Sequence, residues 1–218
     1  MIRSLFAAAV VTLAAGAMPA YAQNGGDIIG RAAQAYRALN SLRADFVQVI
    51  DNPMVDSAET RGTLTQAGEA KFAMRFSEPA GDAIVIDGEH IWLYTPSTTP
   101  GQVLRLRLPN GGPVYGYNML AWFLDRPAER YRATFLRTER VNNRMADVVE
   151  LLPNVPDLPF TRAVLWLDRD DALPRRLEIQ DQSGSMRRLT LSKLRINERI
   201  SDKTFKVDLP ANTRIVDQ

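Results

Sequence analysis

Cysteine is absent from the 218 residues, and histidine occurs once, as His90. Without cysteine there is no disulfide and no thiol nucleophile, so the core alone must hold the fold. A lone histidine builds no metal site with carboxylates at any recognisable spacing. His90 follows Asp87-Gly88-Glu89 and reads as a solvated turn residue. No serine lies in a G-x-S-x-G elbow, and no phosphate-cradling glycine loop is present. Asp168, Asp170 and Asp171 begin like a calcium loop, but Leu173 and Ile179 stand where that loop requires glycine and glutamate. They read as turn residues. Nothing points to an enzyme, and no catalytic residue, metal ligand or cofactor is expected.

Net charge is scarce too. Lys and Arg number 27 against 25 Asp and Glu, a balance of +2, which is not the footprint of a nucleic-acid binder. Long apolar runs are also missing. Leu5–Ala17 is shorter than the roughly 20 residues a membrane helix needs, and Pro19 follows it. Arg3 before it and Ala20-Tyr21-Ala22 after it complete the pattern of a secretory signal peptide, residues 1–22, cleaved after Ala22. No cysteine stands there to carry a lipid anchor. Residues 23–218 are therefore expected to form one exported domain, soluble in a bacterial periplasm.

What is present is strand after strand. Lys71–Pro96 organises the chain. Phe72, Met74 and Phe76 alternate with Lys71, Ala73 and Arg75, the period of a half-buried strand. Glu78-Pro79-Ala80-Gly81 is a turn. Ala83–Ile86 and Ile91–Tyr94 flank Asp87-Gly88, a tight-hairpin dipeptide. These two strands are apolar on both faces, so both faces of the sheet centre must be covered, one of them by something helical.

Before this stretch, Asp27 is the expected cap of an amphipathic helix built on Ile28, Ala32, Ala35, Tyr36 and Leu39. Strands follow at Ala44–Asp51, with Phe46, Gln48 and Ile50 on one face, and at Glu59–Gln66, interrupted by Gly62. After it, Gln102–Leu108 turns Leu104, Leu106 and Leu108 to one side. Tyr115–Leu124 is a short helix apolar nearly all round, with Tyr117, Met119, Leu120, Trp122 and Phe123. Such a helix is buried on most sides or sits in an apolar cavity. Further strands are expected at Ala133–Arg140, Met145–Leu152, Arg162–Asp168, Arg175–Gln182, Met186–Leu194 and around Phe205–Val207. The sum is an antiparallel sheet of about ten strands, with one helix before it and one inserted.

A curved sheet with large side chains on its concave face can hold hydrocarbon. Each buried methylene contributes about 0.8 kcal/mol, so a long acyl chain gains on the order of 10 kcal/mol. The same residues could equally fill themselves in as an ordinary core, and periodicity does not separate the two.

Several phrases in order resemble the periplasmic outer-membrane lipoprotein carriers, the LolA family. They are Leu42-Arg43-Ala44-Asp45-Phe46-Val47-Gln48, Gly62-Thr63-Leu64, Phe72 to Pro79, Ile84–Pro96, Gln102-Val103 and the closing Phe205…Leu209-Pro210. The resemblance implies a mainly β fold: an incomplete, strongly curved antiparallel β-barrel of about ten to eleven strands, its concave side closed by helices as a lid. It implies a monomeric carrier that binds lipoprotein acyl chains. Such a carrier accepts its cargo from an inner-membrane ABC transporter and delivers it to an outer-membrane receptor. The candidate cavity residues are Phe46, Phe72, Met74, Phe76, Ile84, Ile86, Trp92, Tyr94, Leu104 and Leu106, under a lid of Tyr117, Met119, Leu120 and Phe123. The alternative is a lipid-sensing or other lipid-binding module of the same fold. Many family members fasten the lid with an arginine in the turn before the third strand. Here that turn is Ala67-Gly68-Glu69, so closure rests on apolar burial unless Arg61 or Arg75 substitutes.

Overall fold

A computed structural model describes residues 24–108, 117–154 and 158–218. The expected signal peptide lies outside the described residues, as do Tyr115 and Gly116 of the expected lid helix. Helix α1 (Gly25–Arg37) opens the described chain. Its cap is Asn24, whose side chain accepts from the Gly26 amide at 3.0 Å. The cap is therefore not Asp27, which sits in the first turn, where its charge complements the helix dipole. Gly25 is the entry residue because a Cβ there would stand 2.7 Å from the backbone of Ala133.

Six strands follow: β1 (Ser41–Asn52), β2 (Val55–Ala67), β3 (Lys71–Glu78), β4 (Ala80–Ile86), β5 (His90–Tyr94) and β6 (Gln102–Arg107). The inserted segment forms two short helices, α2 (Met119–Leu124) and α3 (Pro127–Arg130). Then come β7 (Tyr131–Val141), β8 (Arg144–Pro153), β9 (Arg162–Asp168), β10 (Pro174–Gln180), β11 (Met186–Ile196) and β12 (Arg214–Asp217).

Among the described residues all twelve strands belong to one sheet, ordered β12-β6-β5-β4-β3-β2-β1-β11-β10-β9-β8-β7. The sheet is open, with β12 and β7 at its edges. The last strand departs from the expected pattern twice. Residues Asp202–Phe205 form a 3-10 turn instead of a strand, and β12 pairs with β6 in parallel. The segment between β11 and β12 crosses the outer face, and a crossover of that length leaves strand direction free.

Register fixes which side chains share a face. One inward row runs Leu42, Gln66, Phe72, Ile86, Ile91, Leu106, and the next Ala44, Leu64, Met74, Ile84, Leu93, Leu104. On the other wing Val149, Leu165, Leu177 and Leu189 line up, and beside them Leu151, Ala163, Ile179 and Arg187. These rows, α1 and α2 enclose the main core. The outer face is covered separately. Phe205 packs on Ala73, Ala83 and Val85 with Trp92 beside them, while Val164 and Trp166 meet Val141, Ala146 and Val148.

Candidate functional site

The candidate site is the concave face beneath α2. Phe46, Phe72, Met74 and Ile86 are buried there, with Phe76, Ile84 and Leu106 packed against them, and Leu104 stands opposite Leu93 in the same inward row. Gly62 makes the Phe46–Phe76 contact possible. A Cβ at that position would meet the Arg75 carbonyl oxygen at 2.0 Å and the Phe46 ring at 2.9 Å, and the two rings instead meet edge to face at 5.3 Å.

Two of the expected cavity residues belong elsewhere. Trp92 pairs with Val85 and Tyr94 with Ala83, and both partners lie in the outer cluster under Phe205. β4 and β5 are apolar on both faces, so composition did not say which residues turn inward. Pairing with Ile86 and Ile84 assigns that place to Ile91 and Leu93.

Helix α2 is short because Asn118 caps it, accepting from the Ala121 amide at 3.2 Å, and because Pro127 follows soon after. All six of its residues are buried, Leu120, Phe123 and Leu124 completely. Tyr117 packs at the margin of the same core. Trp122 stacks on Phe123 at 5.3 Å, and Phe160 meets both rings edge-on at 5.4 Å. The Trp122 carbonyl oxygen accepts from Arg130 Nη1 and the Tyr131 hydroxyl, both at 3.0 Å.

A polar network ties the start of α2 to the sheet. The Tyr36 hydroxyl donates to Gln66 Oε1 at 2.5 Å, and Asn118 Nδ2 donates to the same oxygen at 3.1 Å. Gln66 Nε2 donates in turn to the Gly68 carbonyl at 3.1 Å. Burial pushes the Tyr36 phenol above the ordinary tyrosine value, so it remains a neutral donor. Neither arginine considered above takes part. Arg61 pairs with Glu59 and Glu78, and Arg75 donates to the carbonyls of Thr204 and Lys206 on the outer face. Closure is therefore not purely apolar: α1, β2 and α2 share a buried fastening of neutral groups. A neutral buried hydrogen bond contributes about 1 kcal/mol, but leaving one of its groups unpaired costs about 1–3 kcal/mol.

Two cavities flank α2. One, of about 250 Å³, is lined by Tyr36, Leu39, Gln66, Ala121 and Leu124. The other, of about 260 Å³, lies between Ile50, Trp122, Ile179 and Arg187. Each is smaller than the roughly 300–1,000 Å³ of pockets that enclose a drug-sized ligand. Neither of the two is large enough as it stands to enclose a long acyl chain.

An open, strongly curved β-sheet with an apolar concave face closed by helices defines the class: a half-barrel binding protein rather than a packed sandwich. The chain belongs to the outer membrane lipoprotein carrier protein LolA family, whose model matches residues 37–208. An outer-membrane lipoprotein carrier protein of Methylobacillus flagellatus is 25% identical over 182 residues, covering 83% of this chain and 84% of its own. Another, from Alkalilimnicola ehrlichii, is 26% identical over 187 residues, 85% of this chain and 81% of its own. Among solved structures, an uncharacterized conserved protein from Thermus thermophilus has the same fold, with TM-score 0.59 and 14% identity over 90% of this chain and all of its own. The complex of Pseudomonas aeruginosa MucA and MucB contains it as well, with TM-score 0.52 and 19% identity over 88% of this chain and 63% of that one.

Proposed function

We propose that this protein is a periplasmic carrier that shelters lipoprotein acyl chains on its concave face and shuttles them from the inner to the outer membrane. The observation that carries this reading is the cover of that face. Inward rows made mainly of large apolar residues are closed by a six-residue helix, fastened at its start by neutral hydrogen bonds. Acyl chains and α2 compete for the same surface. Such an exchange works only if the two states lie within a few kcal/mol, and a short helix with a small polar fastening suits that requirement.

The lining we assign is Phe46, Phe72, Met74, Phe76, Ile84, Ile86, Ile91, Leu93, Leu104 and Leu106, with Tyr117, Met119, Leu120 and Phe123 as the lid. Export with cleavage after Ala22, receipt of cargo from an inner-membrane ABC transporter and release to an outer-membrane receptor belong to the same proposal. Native mass spectrometry of the protein purified from the periplasm tests it, with co-purified acylated cargo as the expected result. Protein that never carries acylated material, even after incubation with lipoprotein-loaded inner-membrane vesicles, would overturn it.

The same fold occurs in MucB, solved together with MucA. This supports a second reading, a lipid-sensing module that retains its ligand and answers through a protein partner. Transfer separates the two: a carrier yields its cargo to outer-membrane vesicles, and a sensor does not.

A further inference from the structure

The inward row of Val149, Leu165, Leu177 and Leu189 continues onto β1 and β2, and there it changes character. Its next two members are Gln48 and Thr60. Gln48 is more than nine-tenths buried. Its Nε2 donates to the Thr60 hydroxyl oxygen at 3.3 Å, and its Oε1 meets no donor among the described residues. The half-buried Thr60 hydroxyl finds no acceptor there for its own proton.

Gln66 shows how this face treats a glutamine that only fastens structure. Its Oε1 accepts from Tyr36 and Asn118, and its Nε2 donates to the Gly68 carbonyl. Both ends of that amide are used. Gln48 lies on the same face of the same hairpin, six positions along β1 from Leu42, the partner of Gln66. At the rise of a strand that is about 20 Å, and the inward residues between carry no polar side chain. β3 pairs with β2 as far as Arg61, so Gln48 and Thr60 stand at the rim, where the sheet narrows to the β1–β2 arm. Neither belongs to α2. Both keep their places on the sheet when the lid is displaced.

We propose that Gln48 and Thr60 form a polar subsite for the secondary amide that joins an acyl chain to the molecule bearing it. An unmatched acceptor beside an unused hydroxyl proton is the complement of such an amide, which brings one N–H and one carbonyl oxygen. The ligand N–H donates to Gln48 Oε1, and the Thr60 hydroxyl donates to the ligand carbonyl. An ester or a carboxylate brings acceptors only and leaves Gln48 Oε1 as it was. A buried acceptor without a donor is costly, and a ligand that supplies the donor recovers that cost. The inference rests on the acyl-binding reading above and adds to it an orientation. The amide sits at the rim, and the hydrocarbon runs inward over Phe46, Phe76, Leu64 and Met74 toward Gln66.

The test uses the full-length protein after export and three probes sharing one pyrene-labelled alkyl chain. One ends in an N-methylamide, one in the methyl ester of the same size, and one in a methyl group. Gln48→Leu extends the apolar row, and its binding of the methyl-ended probe shows that the fold is intact. Its preference for the N-methylamide over the methyl-ended probe is expected to fall about fivefold to tenfold below that of the wild type. Its preference for the ester over the methyl-ended probe is expected to stay within about twofold. Thr60→Val, which keeps shape and loses the hydroxyl, is expected to weaken amide and ester alike. In the wild type the Gln48 side-chain amide resonances, assigned by their loss in Gln48→Leu, are expected to shift with the N-methylamide and not with the methyl-ended probe. An ester preference that falls as far as the amide preference in Gln48→Leu would overturn recognition of the N–H. An amide preference unchanged in both variants would remove the subsite and leave the carrier standing. Failure of every probe to bind the wild type would remove both.

Discussion

The two faces of this sheet are finished differently. On the outer face both tryptophans are matched, Trp92 with Asp87 and Arg105 and Trp166 with Glu139 and Arg176, and Arg162 pairs with Glu150, although Arg43 Nε and Arg176 Nε meet no acceptor among the described residues. The 3-10 turn is pinned there by Arg75 and by a Lys71–Asp202 pair at 2.8 Å. On the concave face the large apolar residues are covered mainly by helices, and Trp122 keeps an unmatched donor. A surface that is complete in itself has nothing to exchange for a ligand. The concave face is complete only while α2 lies on it, and that makes it the face that can trade one cover for another.

The comparison breaks hardest at Phe72, which is 1% exposed. Phe72→Glu sets an unpaired carboxylate among hydrocarbon and is expected to cost on the order of 4 kcal/mol, with loss of acyl-probe binding. Urea denaturation and probe titration read the two effects. Next comes Leu120→Ala, which removes a fully buried lid side chain. It is expected to lower stability by about 3 kcal/mol and, because the ligand then displaces less, to raise probe affinity. A fall in affinity would mean that Leu120 serves the ligand more than the closed state. Asn118→Ala removes a helix cap and one bond to Gln66, at a cost of about 1.5 kcal/mol. Amide exchange over α2 is then expected to quicken about tenfold. Trp92→Phe, on the outer face, is expected to cost about 1 kcal/mol and to leave probe binding unchanged.

Acid sharpens the contrast last. Burial pushes the Asp87 and Asp168 carboxyls up. The bonds they accept outweigh it and hold both below the ordinary range, from the Glu89 and His90 amides to Asp87 and from Arg144 to Asp168. A folded value below the unfolded one means that their contribution is fully present above about pH 4 and is lost as pH falls through the depressed values. The urea midpoint is expected to drop in that range. The fastening of Tyr36, Gln66 and Asn118 carries no group that titrates there.

The strands were legible because alternation is a local signal: Phe72, Met74 and Phe76 turn inward as their spacing requires. The two-sided cover of β4 and β5 was legible too, since both faces are apolar. Which face each residue takes was not, because Trp92 and Ile91 are equally apolar and only pairing with Val85 and Ile86 separates them. Phe205 was read as a strand residue because nothing local marks a crossing segment. The fastening was invisible for a related reason. Tyr36, Gln66 and Asn118 lie 30 and 52 residues apart along the chain, and an amide in a strand looks the same whether it meets solvent or a helix cap. Gln66 did carry one signal, its place in the inward phase with Leu64.

Amide hydrogen exchange over Met119–Leu124, with and without a saturating triacylated peptide, tests the central claim most directly. Displacement of the lid predicts strong protection of this segment in the empty protein and its loss in the loaded one, while β8 and β9 stay protected throughout. Protection of α2 that is undiminished with the peptide stoichiometrically bound would contradict it, and would place the acyl chains somewhere other than beneath this helix.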